Sequence, residues 1–290
     1  MSAGAFALVL VAACIHAAWN FMLKRAQADP VAMSWLAASV GAVAYAPLAL
    51  ALHGGELPGL SAAALWAVLV SGVVHVAYFI VLQRGYQVAD LSVVYPVARG
   101  VGPLMSSVVA IAVLGEAASA LSVAGLALVV AGTFTIAGGV SMLRGWSPRT
   151  GAGLGWGALT GVLIAGYTVN DGNAVRALGV SPLLFYWLSD TSRALLLAPW
   201  AARRAPQVRE SLAHAWRPML AVALLSPAGY ILVLIAMTMA PISHVAPARE
   251  VSMLIAAFLG AKLLAEGELR RRLAGAALIA SGVACLALAK

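Results

Sequence analysis

Charge is what this sequence has least of. Its 18 basic and 10 acidic residues make up only 10% of the 290, against about 25% in an ordinary soluble domain. A water-facing surface needs more charge than that, which excludes a soluble enzyme and a nucleic-acid-binding domain. Cysteine is nearly absent too. Cys14 and Cys285 sit inside apolar runs near opposite ends of the chain, so neither a disulfide scaffold nor a metal site is expected. The short apolar/polar alternation of a membrane β-barrel is missing. No basic n-region precedes the first apolar run, so residues 3–23 read as a retained helix rather than a cleaved signal. There is no Walker-type glycine loop for ATP, and no paired-aspartate, His-Glu-x-x-His or Gly-x-Ser-x-Gly signature of an enzyme.

What remains is apolar. Hydrophobic residues make up 63% and the mean hydropathy is +0.96. A helix crossing a bilayer takes about 20 mostly apolar residues. Short polar or Gly/Pro-marked joints divide the chain into ten such runs, at 3–23, 31–52, 62–82, 91–114, 118–140, 152–170, 182–201, 219–239, 241–264 and 272–289. The formal charge of +8 is unevenly placed. Lys24, Arg25, Arg84, Arg144, Arg149, Arg203, Arg204, Arg209, Arg217, Arg270, Arg271 and Arg272 follow odd-numbered runs, twelve in all, against two, Arg176 and Lys290, on the other side. Basic residues stay cytoplasmic. For a bacterial chain this predicts a multi-pass inner (plasma) membrane protein with both termini periplasmic, and no nucleic-acid partner. Trp66, Trp146, Trp200 and Trp216 fall near run ends, where tryptophan anchors at the interface.

The chain also repeats itself. Glu116, Gly125 and Gly132 recur as Glu266, Gly275 and Gly282, all at an offset of 150. Tyr95, Pro96 and Arg99 parallel Ala246, Pro247 and Arg249 with one residue of slippage, and Tyr78 parallels Tyr230 at an offset of 152. Two halves, 1–141 and 149–290, each hold five runs. An odd number per half inserts the second upside down, the inverted-repeat plan of many secondary transporters. The expected fold is therefore an all-α integral membrane protein of ten transmembrane helices in two inverted five-helix repeats. The paired glycines let backbones approach closely, within one chain or across a homodimer; monomer and homodimer both stay open.

The stretches 16–20 (His-Ala-Ala-Trp-Asn), 91–100 (Leu-Ser-Val-Val-Tyr-Pro-Val-Ala-Arg-Gly), 114–116 (Leu-Gly-Glu), 167–172 (Tyr-Thr-Val-Asn-Asp-Gly), 246–250 (Ala-Pro-Ala-Arg-Glu) and 264–266 (Leu-Ala-Glu), with the paired glycines, resemble the EamA family of the drug/metabolite transporter superfamily. The resemblance covers nearly the whole chain as two EamA-type halves. It implies a ten-helix carrier of small metabolites, often an exporter, with a central cavity lined from both halves. Related small multidrug carriers hold cationic drugs with a glutamate in the first helix; here that helix offers His16 and Asn20 and no acid.

Charges at membrane depth are the candidate site. Arg99 lies in the fourth run, Asp190 and Arg193 in the seventh, and Arg249 and Glu250 in the ninth. An arginine there costs at least about 2.5–3.5 kcal/mol on insertion scales, so each must be paired, hydrated or facing a cavity. Asp190 and Arg193 are three apart and can pair locally. Arg99 has no acid in its own helix, and Glu250 is its expected partner. The deep charges sum to +1, which favours an anionic or zwitterionic solute (amino acid, organic acid or phosphonate-like) gripped by guanidinium forks. Lys262 is close enough to a helix end to snorkel, and Glu116 and Glu266 are expected to cap or pair at helix ends. His16, Asn20, Tyr78, Tyr95, Tyr167, Asp171 and Tyr230 are further lining candidates, and His16, His75 and Glu250 are candidates for proton coupling. Pro96, Gly100, Gly102, Pro103 and Pro247 are expected to interrupt their helices beside the cavity.

The reading is a secondary transporter, expected to export a small polar metabolite by alternating access, with no cofactor and with solute and membrane lipid as its partners. A flippase for a lipid-linked phosphate is the alternative, and an intramembrane lipid-modifying enzyme ranks below it.

Overall fold

A computed structural model describes residues 1–25, 28–137, 147–255 and 269–289. Its α-helices are α1 (Ala3–Arg25), α2 (Pro30–His53), α3 (Ala62–Val88), α4 (Leu91–Ala112), α5 (Ala120–Ala137), α6 (Pro148–Arg176), α7 (Pro182–Ala202), α8 (Ala205–His214), α9 (Trp216–Met239), α10 (Ile242–Ala248) and α11 (Leu269–Leu288), with a 3-10 turn over Gly54–Gly59. No strand occurs among the described residues. Trp146, Lys262 and Glu266 lie outside them.

Helix starts follow local chemistry. Asp29 accepts from the Ala32 N–H ahead of Pro30, Ser61 from Ala64, and Ser147 from Thr150 ahead of Pro148. Each side chain satisfies a donor that the first turn leaves unpaired. α1, α2, α3, α4, α6 and α9 are long and apolar enough to cross a membrane. Their outer faces carry large apolar side chains such as Val43, Leu52 and Trp66, as lipid-facing surfaces require.

Contacts between the joints sort them onto two ends. At one end the Met1 ammonium donates to the carbonyls of Ala287 and Ala289, Ser181 Oγ donates to Glu56, and Arg176 pairs with Glu116 at 2.8 Å. At the other end Arg204 pairs with Asp29 at 2.6 Å and Arg149 with Asp90 at 3.1 Å. Met1 and Ala289 share an end, and the joints that carry Asp29, Asp90, Arg149 and Arg204 lie at the other.

The halves pack across one another. α1 lies on α9, α3 on α6, α2 on α7, and α5 on α11. Gly153, Gly157 and Gly161 of α6, at four-residue spacing, form a stripe against Val93, Val97 and Val101 of α4, a seam of close backbone approach. The paired glycines of α5 and α11 face each other inside the chain. They are therefore spent on intramolecular packing and are not available as a dimer face.

Two expectations change and one, the break at Pro247, is met. α4 runs unbroken through Pro96 and Pro103. The ninth run does break: α10 stops at Ala248, and Arg249 and Glu250 form a turn held by 3-10-type bonds, with Glu250 N–H donating to Pro247 O and Ser252 N–H to Arg249 O. Pro247 has no N–H for the Ser243 carbonyl, and Ser107 Oγ donates to that oxygen instead, at 3.2 Å. Finally, the basic joint 203–218, expected as loop, contains α8, whose Val208 packs on a cluster with Met33 and Leu36 of α2 and Met219 and Val222 of α9.

Candidate functional site

A cavity of about 170 Å³ lies at mid-depth between the halves. One water needs about 10–15 Å³ on this measure, so it has room for a small metabolite. α1 contributes His16 and Trp19, α3 His75 and Tyr78, and α4 Arg99. α6 contributes Tyr167, α7 Tyr186 and Arg193, and α9 Ser226 and Tyr230; Arg249 enters from the turn beyond α10, and Ser252 from the helical residues that follow it. One wall is aromatic. His75 stacks on Tyr167 with centroids 4.1 Å apart, Tyr78 and Tyr230 meet Tyr167 edge-on, and Tyr186 tilts against Tyr230.

Among the described residues, three arginines and no acid line this space. Arg99 is paired with Glu250 at 3.0 Å and also donates to Ser252 Oγ at 3.1 Å. Glu250 is 3% exposed and sits behind the guanidinium rather than on the cavity wall. Arg193 pairs with Asp190 at 2.5 Å. Arg249 makes no ion pair among the described residues; its guanidinium lies 5.2 Å from the Tyr230 ring centroid. The broken helix that delivers Arg249 thus presents a cation whose hydrogen-bonding fork is not consumed by a carboxylate.

Behind the aromatic wall is a second void of about 10 Å³, room for about one water. Asp171 and Asp190 face it, with Ser71 and Ser189. His75, Tyr186, Arg193 and Tyr230 line both spaces, so a single layer of side chains divides them. Asp171 accepts from Tyr230 OH at 2.9 Å and from Asn170 Nδ2 at 3.0 Å, and Asn170 also donates to the Ala67 carbonyl.

The structure distributes the predicted residues unevenly. His16, Tyr78, Arg99, Tyr167, Arg193, Tyr230 and Arg249 share the cavity, as does His75. Asp171 and Asp190 turn to the smaller void. Asn20 donates its amide to the His16 carbonyl at 2.8 Å, and Tyr95 packs against the core; neither lines the cavity. Tyr186, Ser71, Ser189, Ser226 and Ser252 escaped the sequence reading, because a lone hydroxyl in an apolar helix has no spacing signal. Glu116 caps as expected: its carboxylate accepts from the N–H groups of Ile242 and Ser243 at the start of α10 while pairing with Arg176.

Residues 3–138 and 151–288 each match the EamA-like transporter family. The chain belongs to that family, as two tandem copies of its repeat, and is a multi-pass helical membrane transporter. A crystal structure of a protein at 17% identity superposes with a TM-score of 0.79, covering 99% of this chain and 98% of the other. That likeness shows a shared fold. No curated protein matches the sequence.

Proposed function

We propose that this chain is a secondary transporter that exports a small polar metabolite carrying a carboxylate or phosphonate, anionic or zwitterionic, by alternating access between its inverted repeats. It does so as a ten-span inner-membrane protein with both termini on the periplasmic side. The single observation that carries the solute class is the all-cationic lining of the central cavity, and within it Arg249, whose charge no carboxylate balances among the described residues. A guanidinium out of water is stabilised most by a planar or tripodal oxyanion that takes two of its N–H groups. The apolar faces of Tyr78, Tyr167 and Trp19 suit the body of such a molecule. The shared end of the two termini, and the basic joints on the other, support the span parity and the orientation.

The test is counterflow in proteoliposomes with labelled phosphonoacetate, glutamate, alanine and choline. Flux of the first three, lost in Arg249→Gln, is the expected result. Robust choline flux without anion or zwitterion flux would refute it.

A further inference from the structure

We propose that the water-sized void behind the aromatic wall is a proton-loading chamber, in which the Asp171 carboxyl takes up and releases the proton that drives transport. This rests on the reading of the chain as a secondary transporter and adds the driving ion to it. Asp171 is fully buried, at 0% exposure, and its hydrogen-bond donors, Tyr230 and Asn170, are both neutral. Asp190 has Arg193 and Glu250 has Arg99, so of the three buried carboxylates among the described residues Asp171 alone has no ion pair there. A buried carboxylate without a counter-charge is costly. With Arg193 held by Asp190 and Arg249 on the far side of the Tyr230 ring, direct neutralisation needs something small enough to enter the void.

The groups around Asp171 decide what that is. α3 presents His75, whose Nδ1 donates to the Ser71 carbonyl at 2.8 Å. α7 presents Tyr186, Asp190 and Arg193, α9 presents Tyr230, and α4 holds Arg99 farther off against Glu250. Arg249 approaches from the cavity side of Tyr230, and α10 brings Ile242 against Gly172. The Arg193 guanidinium on the wall repels a sodium or potassium ion and already holds Asp190, so a fixed metal ion is disfavoured there. A proton carried by one water fits. Ser189 Oγ, buried and without a hydrogen-bond partner among the described residues, faces the void and is free to hold that water.

Tyr230 connects the two spaces. Its hydroxyl donates to Asp171, and its ring lies under the Arg249 guanidinium. A solute that draws Arg249 off the ring and a proton that converts the Asp171 carboxylate to the acid act on the same side chain from opposite sides. That gives solute and proton a shared mechanical element.

Infrared difference spectra of the purified full chain, between acid and alkaline buffer, test this without any solute. The expected result is a protonated-carboxyl C=O band that is lost in Asp171→Asn and kept in Asp190→Asn. Tyr230→Phe moves the band to higher wavenumber, because the carboxyl loses a hydrogen-bond donor. A wild-type spectrum without such a band, or a band that survives Asp171→Asn, overturns the proposal. Should Asp171→Asn fail to fold, an unmoved band in Tyr230→Phe overturns it equally. In proteoliposomes, the acceleration of phosphonoacetate uptake by an imposed pH gradient is lost in Asp171→Asn. Absence of flux for every solute removes the transport reading, while the carboxyl band still decides the proton site.

Discussion

Gly132 and Gly275 meet backbone to backbone. A Cβ on Gly132 would stand 2.6 Å from the Gly275 carbonyl oxygen, and one on Gly275 would stand 2.7 Å from that of Gly132. Gly125 and Gly282 repeat the relationship, at 2.8 and 2.6 Å. Sequence symmetry equates Gly125 with Gly275 and Gly132 with Gly282, so each glycine touches the counterpart of the other. That exchange of partners is what a two-fold axis between the halves produces, and α5 and α11 pack along it.

Gly132→Ala and Gly275→Ala are each expected to lower stability by about 1–3 kcal/mol, because the obstacle is backbone and cannot rotate away. Gly155→Ala, with nothing within 4 Å of the new methyl, is expected to be neutral or stabilising by up to about 1 kcal/mol from the loss of glycine's chain entropy. Thermal unfolding in detergent checks the contrast. Equal losses at all three positions would contradict the packing account.

The Arg99–Glu250 pair joins the halves at 3.0 Å, with little of either side chain exposed. Breaking such a pair leaves a buried charge without its counter-charge, at a cost of about 3–5 kcal/mol, whereas replacing both members with apolar groups is often close to neutral. Glu250→Leu and Arg99→Met are therefore expected to be much less stable than the double variant Arg99→Met/Glu250→Leu. A double-mutant cycle on denaturation midpoints measures the coupling, and additive losses would show that the pair is not coupled.

Arg249→Lys is the sharpest test of how solute is held. Lysine keeps the charge and loses the planar fork. A charge-assisted hydrogen bond contributes about 1.5–3 kcal/mol, so phosphonoacetate affinity is expected to fall by roughly ten- to a hundredfold. Ligand-induced thermal stabilisation reads this directly, since it scales with occupancy. Unchanged stabilisation by the ligand would mean that Arg249 is only structural.

Glu116, beyond the end of α4, clasps two elements on the terminal end, holding Arg176 of α6 and the first two N–H groups of α10. Glu116→Ala leaves those donors without their acceptor, a loss of about 1–3 kcal/mol. Ser243→Cys, buried beside the clasp, is expected to react several-fold faster with a water-soluble thiol reagent in the Glu116→Ala background. An unchanged rate would show that the clasp does not close that end.

Of the candidate site, the sequence made legible the side chains whose presence is expensive. Arg99, Asp190, Arg193, Arg249 and Glu250 stand out because charge inside an apolar run demands a reason, and the pairing of Arg99 with Glu250 follows from the repeat. What it could not reveal is which way a polar group turns. Asp171 and Tyr167 share one short motif, yet Tyr167 lines the cavity and Asp171 the void behind it. Asn20 spends its amide on its own helix.

By itself the sequence determined membrane residence, the helical runs, the duplication and an excess of deep positive charge. These are sums and periodicities along the chain, and the bilayer's demand for apolar length and internal hydrogen bonding turns them into structure almost without reference to neighbours. The tertiary structure alone decided that α4 stays whole through its prolines while the ninth run breaks, that the glycines are spent within the chain, and that Arg249 rather than Arg99 is without an ion pair among the described residues. Each of these depends on what lies across an interhelical contact: Ser107 at a carbonyl freed by Pro247, Gly275 against Gly132, Glu250 behind Arg99. A neighbour brought close by folding leaves no mark in the spacing of the chain that meets it.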